Sequence, residues 1–157
     1  MESINKETLK INKETVEVLQ ELLQKNYDAE TGYKKVMTKA NSLALKDWLQ
    51  SKARQRNTFA TQLDSQIREL NATPATSGSV LGSVHRTWID IKTALSSDTD
   101  EAILEECIRG EKASVKEYEA QLEKNEVYSY IGDLLKSQLT DIKNALNTVK
   151  RLEDIVS

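Results

Sequence analysis

Glu30 and Glu111 each interrupt an otherwise apolar helical stripe, and they do so in two stretches that echo each other. Leu22-Leu23-Gln24-Lys25-Asn26-Tyr27-Asp28-Ala29-Glu30-Thr31-Gly32 aligns with Ile103-Leu104-Glu105-Glu106-Cys107-Ile108-Arg109-Gly110-Glu111-Lys112-Ala113 at constant offset. Leu19, Leu23, Asn26, Glu30, Tyr33 and Met37 recur at steps of four and three, as do Leu104, Ile108, Glu111, Val115, Tyr118 and Leu122. That spacing defines one face of a helix. A carboxylate inside such a face is costly unless a partner satisfies it. Inward carboxylates on facing helices are also the donors from which metal centres in helical bundles are built. The chemistry to weigh is therefore metal binding against a buried ion cluster.

The nearest cations lie on the next helix. Its inward stripe reads Leu45, Leu49, Lys52, Arg56, Phe59, Leu63, Ile67 and Leu70. A guanidinium can bridge two carboxylates through paired hydrogen bonds. Arg56 is the expected partner of Glu30 and Glu111, and Lys52, one turn earlier, is the alternative. Gln138, on the stripe of the last helix, is a further candidate member. A duller alternative leaves both glutamates at the stripe edge, reaching water. A single divalent ion between Glu30 and Glu111 is the metal-binding fallback.

Positioning these residues requires long helices. Asn5 and Asn12 are both candidate N-caps, and the first long helix is expected from about Lys13 to Ala40. Asn41-Ser42 breaks it, and a second helix follows to about Leu70. Asn71 to Ser77 reads as a loop around Pro74. Gly78 to Leu95 is expected to be helical, long enough to travel back along a bundle. Asp98 or Thr99 then caps a third long helix, roughly Asp100 to Lys124. Asn125-Glu126 turns the chain into a last helix through about Ile155. Two antiparallel hairpins joined by a long crossover account for the echo; a simple up-down bundle of five helices is the alternative.

The remaining chemistry-bearing residues read as structural. His85, the lone histidine, has no partners that would make it a ligand set. Gly78 and Gly82 suit close helix packing and do not follow a strand as a phosphate loop would. Cys107 reads as a small buried hydrophobe. The chain has 157 residues and a net charge of −3 with acids and bases interspersed, so it lacks the basic block that phosphates demand. No apolar run approaches the ~18 residues of a membrane span. One cysteine and no apolar leader point to the cytoplasm.

From Ser77 to Tyr118 the chain resembles a known family. The residues that carry this are Ser77-Gly-Ser-Val-Leu-Gly-Ser-Val-His85-Arg86-Thr-Trp88, with Ile103 to Glu111, Asp28 to Tyr33 and Arg56 to Phe59 in support. They are similar to the ferritin-like bacterial proteins grouped as domain of unknown function 2383. The resemblance implies a fold and no activity. More distantly the layout is similar to rubrerythrin and bacterioferritin. Those families place a Glu on the first and third helices and Glu-x-x-His on the second and fourth. On that comparison Glu30 and Glu111 match the first pair. Arg56-x-x-Phe59 and Gln138-x-x-Asp141 stand where the other two motifs would be, so both histidines are missing.

The expectation is thus an all-α, ferritin-like four-helix bundle occupying residues 1–157 as one domain. Its two antiparallel hairpins are joined by a helical crossover at about 78–95. A degenerate metal site is expected, replaced by a buried Glu30–Arg56–Glu111 cluster that Lys52 and Gln138 could join. No catalytic residue, cofactor or metal is assigned. The role is non-enzymatic, in stress association or as a scaffold, with no nucleic-acid or membrane partner and with self-association open. The rival is a metal-binding or redox protein using Glu30 and Glu111.

Overall fold

The computed structural model describes residues 5–76 and 99–156. Among the described residues there are four long helices, α1 Lys6–Met37, α2 Leu43–Glu69, α3 Asp100–Lys124 and α4 Ser129–Thr148, followed by a single turn, α5 Glu153–Val156. No strand occurs among the described residues. The expected crossover helix, with His85, Trp88, Gly78 and Gly82, lies outside them.

Local chemistry sets the helix ends. Asn5 caps α1, its Oδ1 accepting from Thr8 N at 2.8 Å. The helix therefore starts a heptad earlier than expected and runs through Asn12, whose side chain instead accepts from the Tyr128 hydroxyl. Ser42 caps α2 and Thr99 caps α3. At the end of α2, Asn71 takes a φ of 60°, a left-handed conformation that asparagine tolerates. The Asn71 N–H then reaches Arg68 O and the Ala72 N–H reaches Ile67 O. These are the paired bonds that close a helix before a loop. The last helix is shorter than expected: it stops at Thr148, and Asp154 accepts from Lys150 N and Arg151 N to start α5 anew.

Hydrogen bonds between elements fix the topology. The loop after α2 docks on α1, with Gln20 donating to Thr73 O and accepting from Ala75 N. The start of α3 sits at the other end, where Asp100 accepts from Asn41 N at 2.7 Å and Ser42 N at 2.8 Å. The α3–α4 turn returns to the α1 N-terminal half, with Tyr128 N donating to Thr15 Oγ1 and Glu126 N to Glu14 Oε2. So α2 and α3 run parallel, and both oppose α1 and α4. Gln20 and Asn41 lie ~30 Å apart along the helix direction at 1.5 Å per residue, so the end of α2 and the start of α3 lie at opposite ends of the bundle. An up-down-down-up order with one crossover results.

Two apolar clusters fill the interior. One gathers Tyr33, Val36, Leu45, Leu49, Ile103, Leu104 and Cys107; the other gathers Leu19, Leu22, Phe59, Leu63, Ile67, Tyr118, Ile131, Leu135 and Ile142. On each of the first three helices a short polar stretch separates them.

The Asp100 carboxylate joins the hairpins by serving two backbone N–H groups. Asp100→Ala should lower the unfolding free energy by about 1–2 kcal/mol. Glu123→Ala, at an exposed site of the same helix, should change it by less than ~0.5 kcal/mol. Urea denaturation of the two variants checks this.

Candidate functional site: a buried polar layer

All four long helices contribute to the layer between the apolar clusters. α1 supplies Asn26 and Tyr33, one face of the helix two turns apart. α2 supplies Arg56. α3 supplies Glu111, Ser114 and Tyr118, again on one face, and α4 supplies Gln138. Asn26 and Arg56 are 0% exposed and Glu111 is 2% exposed.

Arg56 is the centre. Its NH2 group donates to Glu111 Oε2 at 2.9 Å and to Ser114 Oγ at 3.0 Å, while NH1 donates to Asn26 Oδ1 at 3.1 Å. The other Glu111 oxygen accepts from the Tyr33 hydroxyl in a short bond. Asn26 Nδ2 donates to Leu22 O and to the Tyr118 hydroxyl, and that hydroxyl donates to Gln138 Oε1 at 2.7 Å. Gln138 Nε2 in turn reaches Gln62 Oε1 at 2.9 Å, and Gln62 is exposed. Hydrogen bonds thus run without interruption from Glu111 to the surface.

Electrostatics favours the charged form of Arg56. Burial, the largest single effect, would lower the Arg56 pKa, but the Glu111 carboxylate, Tyr33 and Tyr118 together outweigh it. The guanidinium is held above its ordinary value. Burial pushes the Tyr33 phenol well up, with Glu111 adding to the effect. The Cys107 thiol is also raised by burial, so it stays protonated and unreactive.

The other expected members are placed differently. Gln138 joins the layer through Tyr118. Lys52 is 5% exposed, but its Nζ bonds Gln55 Oε1 at 3.0 Å and lies 5.8 Å from the Trp48 ring centre. Burial lowers its pKa, and Glu111 partly opposes this. Lys52 adds positive field near the layer without a direct bond to Glu111.

Glu30 is a correction. It does not meet Arg56 or Glu111. Its side chain, 13% exposed, pairs with Lys34 Nζ at 2.9 Å and accepts from Asn57 Nδ2 at 3.2 Å. It borders an outer groove of about 540 Å³ between α1 and α2, with Met37, Gln50 and Arg54. At 100° per residue Glu30 stands roughly 40° to one side of Asn26, and Ala29 roughly 60° to the other. The buried set Thr15, Val18, Leu22, Ala29 and Val36 shows that the interior lies on the Ala29 side. Asn26 therefore takes the inward place expected for Glu30. Asn26, Tyr33, Ser114 and Tyr118 join the layer beyond the members expected from the sequence. The available signal was an amide and two phenols on the inward stripes.

The donor set has definite chemical limits. It offers one carboxylate, two amides, two phenols and a hydroxyl around a fixed cation. Among the described residues no group of three or more His, Cys, Asp or Glu side chains converges. Two divalent metals need several anionic oxygens and imidazoles, so this layer does not fit a di-metal centre. It fits an internal ion pair in which both terminal nitrogens of Arg56 and both carboxylate oxygens of Glu111 are hydrogen-bonded.

Fold and site together define a ferritin-like helical bundle. Among solved structures the chain is similar to ferritin-like, diiron-carboxylate proteins from Bacillus anthracis str. Ames, with 21% identity and a TM-score of 0.64. The match covers 87% of this chain and 92% of that one, and at this identity it speaks for the fold alone. No curated protein matches the chain. Residues 14–124 match the family described as Domain of unknown function (DUF2383), and the chain belongs to that family.

Tyr118 gives the layer a signature at high pH. Burial pushes its phenol up to about 12, although Arg56 and the Asn26 bond pull the other way. An unfolded tyrosine titrates near ~10. The stabilisation is therefore intact below pH ~10 and is lost as pH rises toward about 12, reaching roughly 3 kcal/mol. Tyr33 acts with the same sign. Urea midpoints measured at increasing pH should fall steeply above pH ~10, and Tyr118→Phe should flatten that fall while lowering stability at neutral pH.

Proposed function

We propose that this chain is a non-enzymatic ferritin-like protein in which an internal ion pair takes the place of a metal centre. The supporting observation is the Arg56 guanidinium, 0% exposed and bonded to Glu111, Ser114 and Asn26. A permanent cation at that point repels divalent metal, and Glu111 already has its charge neutralised. On this reading the site is degenerate with respect to di-iron chemistry, and the protein works through its surface, as a stress-associated or scaffold protein.

Among the described residues no helix is long and apolar enough to cross a membrane. The lone cysteine and the interspersed charges suit a cytoplasmic protein that binds neither nucleic acid nor membrane. The solved relative is described as a diiron-carboxylate protein, which is the rival reading for this chain. That rival would draw on Glu30 and Glu111, yet Glu30 points to the outer groove.

Elemental analysis of protein purified without chelator separates the two. The ion-pair reading expects no stoichiometric iron, no ferroxidase activity above background on adding ferrous ion, and no change in thermal midpoint with added metal. Two tightly bound irons per chain, with oxidase activity, would refute it.

A further inference from the structure

Among the described residues, one face of α3 carries a run of exposed charged side chains around a single apolar one. Glu101, Glu105, Ile108, Lys112 and Lys116 fall within roughly 80° of one another around the helix. The four charged side chains are exposed and Ile108 is half-buried. Their charges are segregated, with both acids in the N-terminal half and both bases beyond Ile108. Beside this face, Val115 and Leu146 line a groove of about 410 Å³ between α3 and α4. Its remaining cation, Lys143, is engaged by Glu119 at 3.2 Å.

This pattern complements itself. The intervals Glu105 to Lys112 and Glu101 to Lys116 share one midpoint, between Ile108 and Arg109. When two copies of α3 pack antiparallel about that point, Glu105 faces Lys112 and Glu101 faces Lys116. The two-fold axis then generates each pair twice. A parallel pairing in register would set acid against acid and base against base. Arg109, close to the axis, is already paired with Glu106 of its own helix. A surface that matches its own rotated copy is what a two-fold interface requires.

We propose that α3 docks against α3 of a second copy of this chain, antiparallel, with Ile108 at the axis and charge pairs Glu105–Lys112 and Glu101–Lys116 on either side. The occupant of this face is thus the same protein. The arrangement is independent of what the interior layer binds.

Sedimentation of the full chain tests it. The protein should be dimeric at low ionic strength and dissociate as salt shortens the Debye length from ~10 Å at 0.1 M to ~3 Å at 1 M. Glu101→Lys with Glu105→Lys should weaken the dimer by about thirtyfold, equivalent to ~2 kcal/mol over four exposed pairs. Lys112→Glu with Lys116→Glu should do the same, and mixing the two variants should give a one-to-one heterodimer. All four exchanges in one chain should restore the homodimer. Glu101 also favours the α3 N-terminus, so thermal midpoints are followed in parallel; the lysine variant carries no such effect. A wild-type chain that stays monomeric, a dimer indifferent to charge reversal, or a fourfold exchange that remains monomeric would each overturn the proposal.

Discussion

Burying the Arg56 guanidinium in the middle of the bundle constrains everything around it. A desolvated charge costs several kcal/mol unless it is paired and its hydrogen bonds are met. Glu111 supplies the opposite charge, and Asn26 and Ser114 take further N–H groups. Each of these residues sits at one axial level of its helix. Sliding α2 against α3 by a turn would part Arg56 from Glu111, so the layer fixes their register where apolar contacts alone would tolerate shifts. The two apolar clusters are kept apart by this requirement, one on each side of the layer.

The layer also joins the two hairpins. Arg56 belongs to the first and Glu111 to the second, and Tyr33 of the first donates to the second carboxylate oxygen. At one end Asp100 accepts from the α1–α2 turn, and at the other Tyr128 contacts α1. Hairpin association thus rests on polar ties at three levels with apolar packing between them.

Much of the fold was legible in the sequence, because long amphipathic stripes and capping residues carry strong local signals. The extents of α2 and α3 follow from Ser42, Asn71, Thr99 and Asn125. The start of α1 was not legible, since Asn5 and Asn12 sit in identical contexts and only the distant Tyr128 distinguishes them. The break after Thr148 was not legible, because it is held by Asp154 accepting from Lys150 N and Arg151 N, a contact that an unbroken run through Ile155 conceals. Within the site, the cation stripe of α2 pointed to Arg56. Glu30 misled because positions 29 and 30 flank the same direction on a helix, and a sequence echo with Glu111 does not say which side the neighbours occupy. Lys34, four residues on, then gives Glu30 a surface partner.

The account turns on Arg56 and Glu111 acting as one unit, and a double-mutant cycle measures that most directly. Arg56→Met and Glu111→Leu alone should each cost about 3–5 kcal/mol, because each strands a buried charge. The double variant removes both charges together and should be more stable than either single variant, with a coupling energy of about 2 kcal/mol or more. Additive losses, or single losses under ~1 kcal/mol as for exposed pairs, would contradict the claim that this ion pair organises the core.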